Sequence, residues 1–267
     1  MKSLIYLACV LMLSGCSTSR SDMKLIGSGS GDSFRVLTYN IHHGEGTDKV
    51  IDLERIAAVI RSADADVASL QEVDKGVERT GGVDQPSVLA ELTGMRVIFE
   101  KNITFQGGEY GNAVLTRLPV LHYENHKLPQ SRPGEQRGML EVHVMHGGEP
   151  LVFFATHFDY HGDDTERLAS ADLLRGLVEG LATKRIVVAG DLNTTPGSRV
   201  MAKLDAFLKD SYRPRGGPGY TFPAGEPDRR IDYVLSHPGF GFRVVSCEVI
   251  DEAVASDHRP VMVEFER

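Results

Sequence analysis

The 267-residue sequence predicts an α/β fold in which two packed sheets are flanked by helices. Three observations carry that expectation. About ten short apolar or alternating runs read as strands, and they are interspersed with helical patterns rather than segregated from them. No linker composition interrupts residues 34–267. With 41% hydrophobic and 25% charged residues, the chain has the balance of a globular protein able to bury one sizeable core.

In chain order, "FRVLTYN", "DVASLQEV", "RVIFE", "NAVLT", "GMLEVHV", "PLVFFATH", "RIVVAGD", "RIDYVL", "FRVVSCEVI" and "PVMVEFE" are the expected strands. "DLERIAAVIRSA" and "DDTERLASADLLRGLVEGLA" have helical periodicity and acidic first turns that suit the helix dipole. "QPSVLAELTG" and "SRVMAKLDAFL" read as shorter helices. Residues 114–119 and the proline-rich "YRPRGGPGYTFPAGEPDRR" are loops by composition, the second long enough to shape a binding site.

Ahead of the domain, "MKSLIYLACVLMLSGC" has one lysine before an apolar run too short to span a bilayer. Its "LSGC" ending resembles a bacterial lipobox, so residues 1–16 are expected to be a lipoprotein signal peptide, cleaved before Cys16 with lipid on that thiol. Residues 17–33 contain six serines and three glycines, the composition of a flexible tether reaching on the order of 20–25 Å. The expected location is therefore extracytoplasmic, anchored through Cys16 to a bacterial membrane, and to the outer membrane in a Gram-negative host, where Ser17 suits that sorting. The expected assembly state is a monomer. Of three cysteines, Cys9 would leave with the leader and Cys16 would carry lipid, leaving Cys247 as a small buried hydrophobe. No intrachain disulfide is then available.

The formal net charge of −8 argues against affinity drawn from phosphate neutralisation, although a metal ion can supply the missing positive charge.

The strands share a habit: each apolar run ends in, or carries, a polar side chain suited to chemistry. Asn40 ends "RVLTYN", Glu72 ends "VASLQE", and His157 ends "LVFFATH". Asp191 and Asn193 close "IVVAGDLN", Asp232 lies within "RRIDYVL", and Asp257 and His258 precede the last strand. Each alone has an ordinary structural reading, as a turn residue, a surface acid or a satisfied histidine. Asp232 is harder to dismiss, because a carboxylate between Ile231 and Tyr233 must find a partner if buried. Together they would place hard oxygen donors and two imidazoles in one cavity. Such donors suit Mg²⁺ or Mn²⁺ better than Zn²⁺, and the combination points to water attacking a phosphate ester.

The ordered series "TYNIHHG", "SLQEVD", "YGNAVLTR", "ATHFD", "GDLNTTPGS", "RRIDYVL" and "VASDHRP" resembles the endonuclease/exonuclease/phosphatase superfamily, from about Phe34 to the C-terminus. That superfamily includes deoxyribonuclease-like nucleases, abasic-site endonucleases, inositol-polyphosphate phosphatases and bacterial sphingomyelinases. The resemblance implies a four-layer α-β-β-α sandwich with the site at one edge of the two sheets. It implies that Glu72 is the principal metal ligand, with Asn40 and Asp257 lining the metal region. It further implies that Asp191 and Asn193 orient water and contact phosphate, that His157 hydrogen-bonds the phosphate, and that His258 is the catalytic imidazole oriented by Asp232. Where abasic-site endonucleases carry an acid, this chain has His42, which is open to three readings: a supporting residue behind the ligands, a weak metal contact, or part of the turn.

The expected partner is a phosphate ester of a lipid, sugar or nucleotide. Arg79, Arg137, Arg167 and Arg230 lie near motif ends, and arginine forks suit phosphate. Arg137 and Arg167 are the favoured substrate contacts, joined by Tyr110 and Asn112 of "FQGGEYGN". The absence of tryptophan speaks against a membrane-inserting sphingomyelinase. The expected activity is a divalent-metal-dependent phosphoesterase, with a phosphodiester preferred. An extracytoplasmic nuclease and a non-catalytic ligand-binding lipoprotein are the alternatives.

Overall fold

The computed structural model describes residues 32–212 and 217–267. Cys16, the leader and almost all of the expected tether lie outside the described residues; Ser33, the tether's last residue, already belongs to the first strand. Two six-stranded mixed sheets pack face to face. The first has strand order β11(Arg243–Val249), β12(Val261–Glu266), β1(Ser33–Asn40), β2(Val67–Lys75), β4(Gly108–Thr116), β3(Arg96–Phe105). The second has order β5(Val120–Lys127), β6(Gly138–His146), β7(Glu149–His157), β8(Ile186–Asp191), β10(Asp232–Ser236), β9(Lys209–Asp210).

Side chains that alternate along both sheets meet between them. Phe34, Val36, Val114, Leu140, Phe153, Val187 and Phe265 form part of this dry interlayer. Cys247 packs at its margin, half-buried, as a small apolar side chain would. The outer face of the first sheet carries α1(Leu53–Ala63) and α2(Gln85–Thr93), whose Ile56, Ile60 and Leu89 pack on Leu37, Tyr39 and Leu70. The second sheet carries α3(Thr165–Gly180) and α4(Arg199–Leu204), with Ala171, Leu174, Val200 and Leu204 against Val152, Phe154 and Val188. Asp52 caps α1 by accepting from the Arg55 N–H at 3.0 Å, and Ser198 caps α4 through Met201 N at 3.1 Å. At α2, Asp84 accepts from Ser87 N at 3.1 Å and Gly94 ends the helix with φ +67°.

Three local expectations are corrected. Val114, Leu115 and Thr116 are the last residues of β4 and belong to the sheet, because their side chains are buried. The run beginning at Arg96 continues as strand to Phe105. The polar β5, "VLHYENHK", was not foreseen: as an edge strand with mostly exposed side chains it lacks an apolar face to announce it.

Candidate active site

Strand register assembles much of the site. In the second sheet β8 runs parallel to β7 and antiparallel to β10, pairing His157 with Asp191 and Asp191 with Asp232. These three side chains therefore stand in one row at the end of three strands. Close approach is possible because Gly190 has no side chain: a Cβ there would lie 1.9 Å from the Thr156 carbonyl oxygen.

The first sheet supplies the opposing wall. Asn40 ends β1, and β2 is interrupted by a bulge between Leu70 and Val73. Glu72 sits in that bulge with φ +60°, which re-aims its carboxylate towards the site. Asn40 links the two sheets. Its amide nitrogen donates to Glu72 Oε1 at 2.9 Å and to Asp191 Oδ2 at 3.2 Å, while its oxygen accepts from the His42 N–H at 3.1 Å.

His258 lies with Nδ1 3.0 Å from Asp232 Oδ2 and Nε2 3.7 Å from Asp191 Oδ2, and its ring packs against Phe222 at 4.7 Å. Burial disfavours the charged imidazole here, but Asp232 and then Asp191 outweigh it and push His258 up to about 10. Asp191 is fully enclosed; burial, then the Asp232 charge, push it up to about 7 against the pull of His258. His157 behaves oppositely, since burial and then Arg137 hold it well below its ordinary value. Arg137 Nη1 lies 2.8 Å from His157 Nδ1. A guanidinium only donates, so Nδ1 is the acceptor and Nε2 carries the proton, 3.4 Å from Asp191 Oδ2. Asn40 thus donates to one oxygen of Asp191, and the Nε2 atoms of His157 and cationic His258 stand 3.4 Å and 3.7 Å from that same oxygen. The other oxygen accepts from the Asn193 N–H at 2.9 Å, in a turn where Asn193 takes φ +47°.

This wall opens on a cavity of about 840 Å³, lined by Glu72, His157, Asp191, Asn193, Asp257 and His258 among others. Of the expected substrate contacts, Arg137, Arg167 and Tyr110 line it. Arg167 is already engaged, donating through Nη1 to the carbonyls of Asp159 at 2.8 Å and His161 at 2.7 Å. Asn112 has a different place: it is buried and donates to Gly138 O at 2.9 Å, bracing β4 on β6 behind the site. Arg230 also turns away, bonding Asp210 Oδ2 at 2.7 Å between the Tyr212 and Tyr233 rings. Arg79 does reach the cavity, its guanidinium held by a two-pronged bond to buried Asp74 and covered by Phe105 and Tyr110.

Two clusters carry donor types that suit a divalent cation, and in the first a cationic His258 leaves only the two carboxylates to bind it. Atoms of Asp191, Asp232 and His258 lie within 4.8 Å of one another, and so do atoms of Glu72, His42 and His43. Asp232 Oδ1 is buried with no hydrogen-bond partner.

The sequence model of the Endonuclease/Exonuclease/phosphatase family matches residues 37–258, which contain every one of these groups. The chain belongs to that family. Its members are hydrolases acting on phosphate esters. The chain is similar to the uncharacterized protein YbhP of Escherichia coli (strain K12), 27% identical over 249 residues, covering 87% of this chain and 96% of that one. An endonuclease/exonuclease/phosphatase structure from Beutenbergia cavernae DSM 12333 is 28% identical with TM-score 0.67, covering 88% of this chain and 72% of that one. The mannosyl-6-phosphatase Bt3783 of Bacteroides thetaiotaomicron VPI-5482 has the same fold, with TM-score 0.71, 21% identity, and coverage of 88% and 100%. So does the human Nocturnin catalytic domain with bound sulfate, with TM-score 0.69, 20% identity, and coverage of 88% and 93%.

Within this family frame, the cavity residues not singled out from the sequence include Glu135, Tyr160, Phe222 and Arg229. Tyr160 follows the "ATH" strand end by three residues, and Glu135 precedes Arg137 by two, so nearness to a motif was the available signal. Phe222 and Arg229 come from the long proline-rich loop expected to shape a site.

Proposed function

We propose that this chain is a divalent-metal-dependent phosphoesterase that hydrolyses a phosphodiester with water. The observation that supports this most is the convergence of Asn40, His157 and His258 on Asp191 at the edge of a cavity far larger than a phosphate group. Glu72 and Asp257, which both line the cavity, would hold Mg²⁺ or Mn²⁺ through hard oxygens. That ion would withdraw charge from a phosphate oxygen.

The chain's own groups divide the remaining work. Asp191, pushed up to about 7, is poised to accept a proton from water near neutral pH, and the Asn193 N–H fixes the carboxylate's direction. His258 is cationic and buried, so it offers a charged donor where negative charge develops on phosphorus. Asp232 holds that imidazole by Nδ1 and keeps it charged. His157, neutral with its proton on Nε2, offers a second donor. Phe105, Tyr110, Tyr160 and Phe222 line the cavity and give the two ester substituents apolar surface, which favours a diester over a monoester. For the setting, we propose a lipid anchor on Cys16 in an extracytoplasmic membrane compartment, supported by the lipobox-like leader and the serine- and glycine-rich segment after it.

The test is release of p-nitrophenolate from bis-p-nitrophenyl phosphate and from p-nitrophenyl phosphate, with Mg²⁺, Mn²⁺ or EDTA. The reading expects metal-dependent release, faster from the diester, and a loss of at least about a hundredfold in Asp191→Asn. Release that is indifferent to EDTA, or unchanged in Asp191→Asn, would sink it.

A further inference from the structure

After Asn40 the chain does not simply turn away from the site. His42 and His43 both adopt φ +45°, a left-handed conformation that residues other than glycine seldom take. The turn is pinned from three directions. Gln85 Nε2, from α2, donates to His43 O at 2.6 Å; Gly44 N bonds Ile41 O at 2.8 Å; and Asn40 Oδ1 receives the His42 N–H. Gly44 has no room for a side chain, since a Cβ would lie 2.9 Å from Leu53 Cδ2. Glu72, across from this turn, is the bulged residue with φ +60°. Three strained backbones therefore present three side chains to one point.

Donor atoms of His42, His43 and Glu72 all lie within 4.8 Å of one another. His42 Nδ1 is 3.1 Å from the Glu45 carbonyl oxygen, so it carries the proton and leaves Nε2 with a free lone pair. This backbone bond on the far nitrogen is the arrangement that orients metal-binding imidazoles. The two rings sit edge to face with centroids 4.4 Å apart. The His43 side chain is 10% exposed and its Nδ1 is buried without a hydrogen-bond partner. The carboxylates beside the rings are Glu45, with Oε2 3.9 Å from His43 Nε2, and Asp257, with Oδ1 4.0 Å from His42 Nδ1.

We propose that His42 and His43 join Glu72 in a site of two imidazoles and one carboxylate that takes a zinc- or cobalt-class ion ahead of magnesium. This rests on the reading that Glu72 holds the catalytic ion, and it changes which ion the centre prefers. Magnesium favours all-oxygen surroundings and keeps its water, whereas two nitrogen donors suit zinc and cobalt.

The experiment titrates the metal-stripped full-length chain, in mild detergent, with Co²⁺, Zn²⁺ and Mg²⁺. Calorimetry gives affinities, and the visible Co²⁺ bands with histidine NMR shifts report imidazole ligation. Asparagine tolerates left-handed backbone, so His42→Asn and His43→Asn remove each ring with little change of turn. The expected result is Zn²⁺ binding at least about a hundredfold tighter than Mg²⁺, with each variant losing about tenfold to a hundredfold of Zn²⁺ affinity while Mg²⁺ affinity holds. Undiminished Zn²⁺ affinity in both variants, or unshifted histidine resonances, would overturn the proposal and leave the phosphoesterase reading standing. Failure of that underlying reading looks different: Glu72→Gln would then keep the wild-type Mg²⁺ dependence of hydrolysis.

Discussion

Replacing Asp232 by asparagine separates two roles for His258. The carboxylate is buried and lies 3.0 Å from His258 Nδ1, so solvent screens the pair little. At an effective dielectric near 20, two unit charges at that distance attract by about 5 kcal/mol. That corresponds to roughly three to four powers of ten in the imidazole's proton affinity. His258, at about 10 against an ordinary 6.5, sits where burial opposes this attraction and Asp191 adds to it. Asp232→Asn should therefore return the imidazole to its ordinary range or below it. A charged His258 that stabilises the transition state would then be scarce at pH 8, and kcat/KM on bis-p-nitrophenyl phosphate should fall by about a hundredfold there and less in mildly acidic buffer. The primary assay is an NMR titration of His258 in both proteins, which is independent of turnover; the pH–rate profile follows. A variant imidazole still titrating near 10 would refute the electrostatic argument. A variant faster than wild type at pH 8 would refute the cationic role and favour a base.

Three further outcomes follow from the same geometry. Gly190→Ala should cost both stability and activity, because the added carbon meets Thr156 O at 1.9 Å between the strands that carry His157 and Asp191; a thermal melt and the diester assay check it. Phe153→Ala in the dry interlayer should lower stability by about 3–5 kcal/mol in denaturant unfolding. The last concerns pH. His258 is raised on folding, so its stabilisation is complete below about 6.5 and is lost as pH rises through about 10. In EDTA, the Tm difference between wild type and His258→Gln should accordingly shrink over that interval and stay constant below it.

Much of this molecule could be read from its letters because its chemistry sits where periodicity stops. Asn40, His157 and Asp191 each end an apolar run, and run endings are visible in sequence. Asp232 was legible for another reason, as a charge inside an apolar stretch. What resisted was anything set by long-range pairing. Asn112 sits in the same strand as cavity-lining Tyr110, but the fold turns it behind the site onto Gly138. Arg230 and Arg229 are adjacent, and only their partners decide that the first is buried on Asp210 while the second borders the cavity. The bulge at Glu72 and the left-handed turn at His42 and His43 leave no compositional trace, since neither uses glycine at the strained position.

The placement of Asn40 has a mechanical consequence. One jaw of the site belongs to the first sheet and the other to the second, and at the reactive edge this carboxamide clasps them across the gap, with Asn112 on Gly138 and Ser69 on Ala189 joining the sheets behind it. Alignment of the reactive groups is thus hostage to shear between two greasy slabs. Swelling or slippage far from the opening would misalign the jaws by fractions of an ångström long before the polypeptide melts, and hydrolysis should disappear at milder conditions than the fold does.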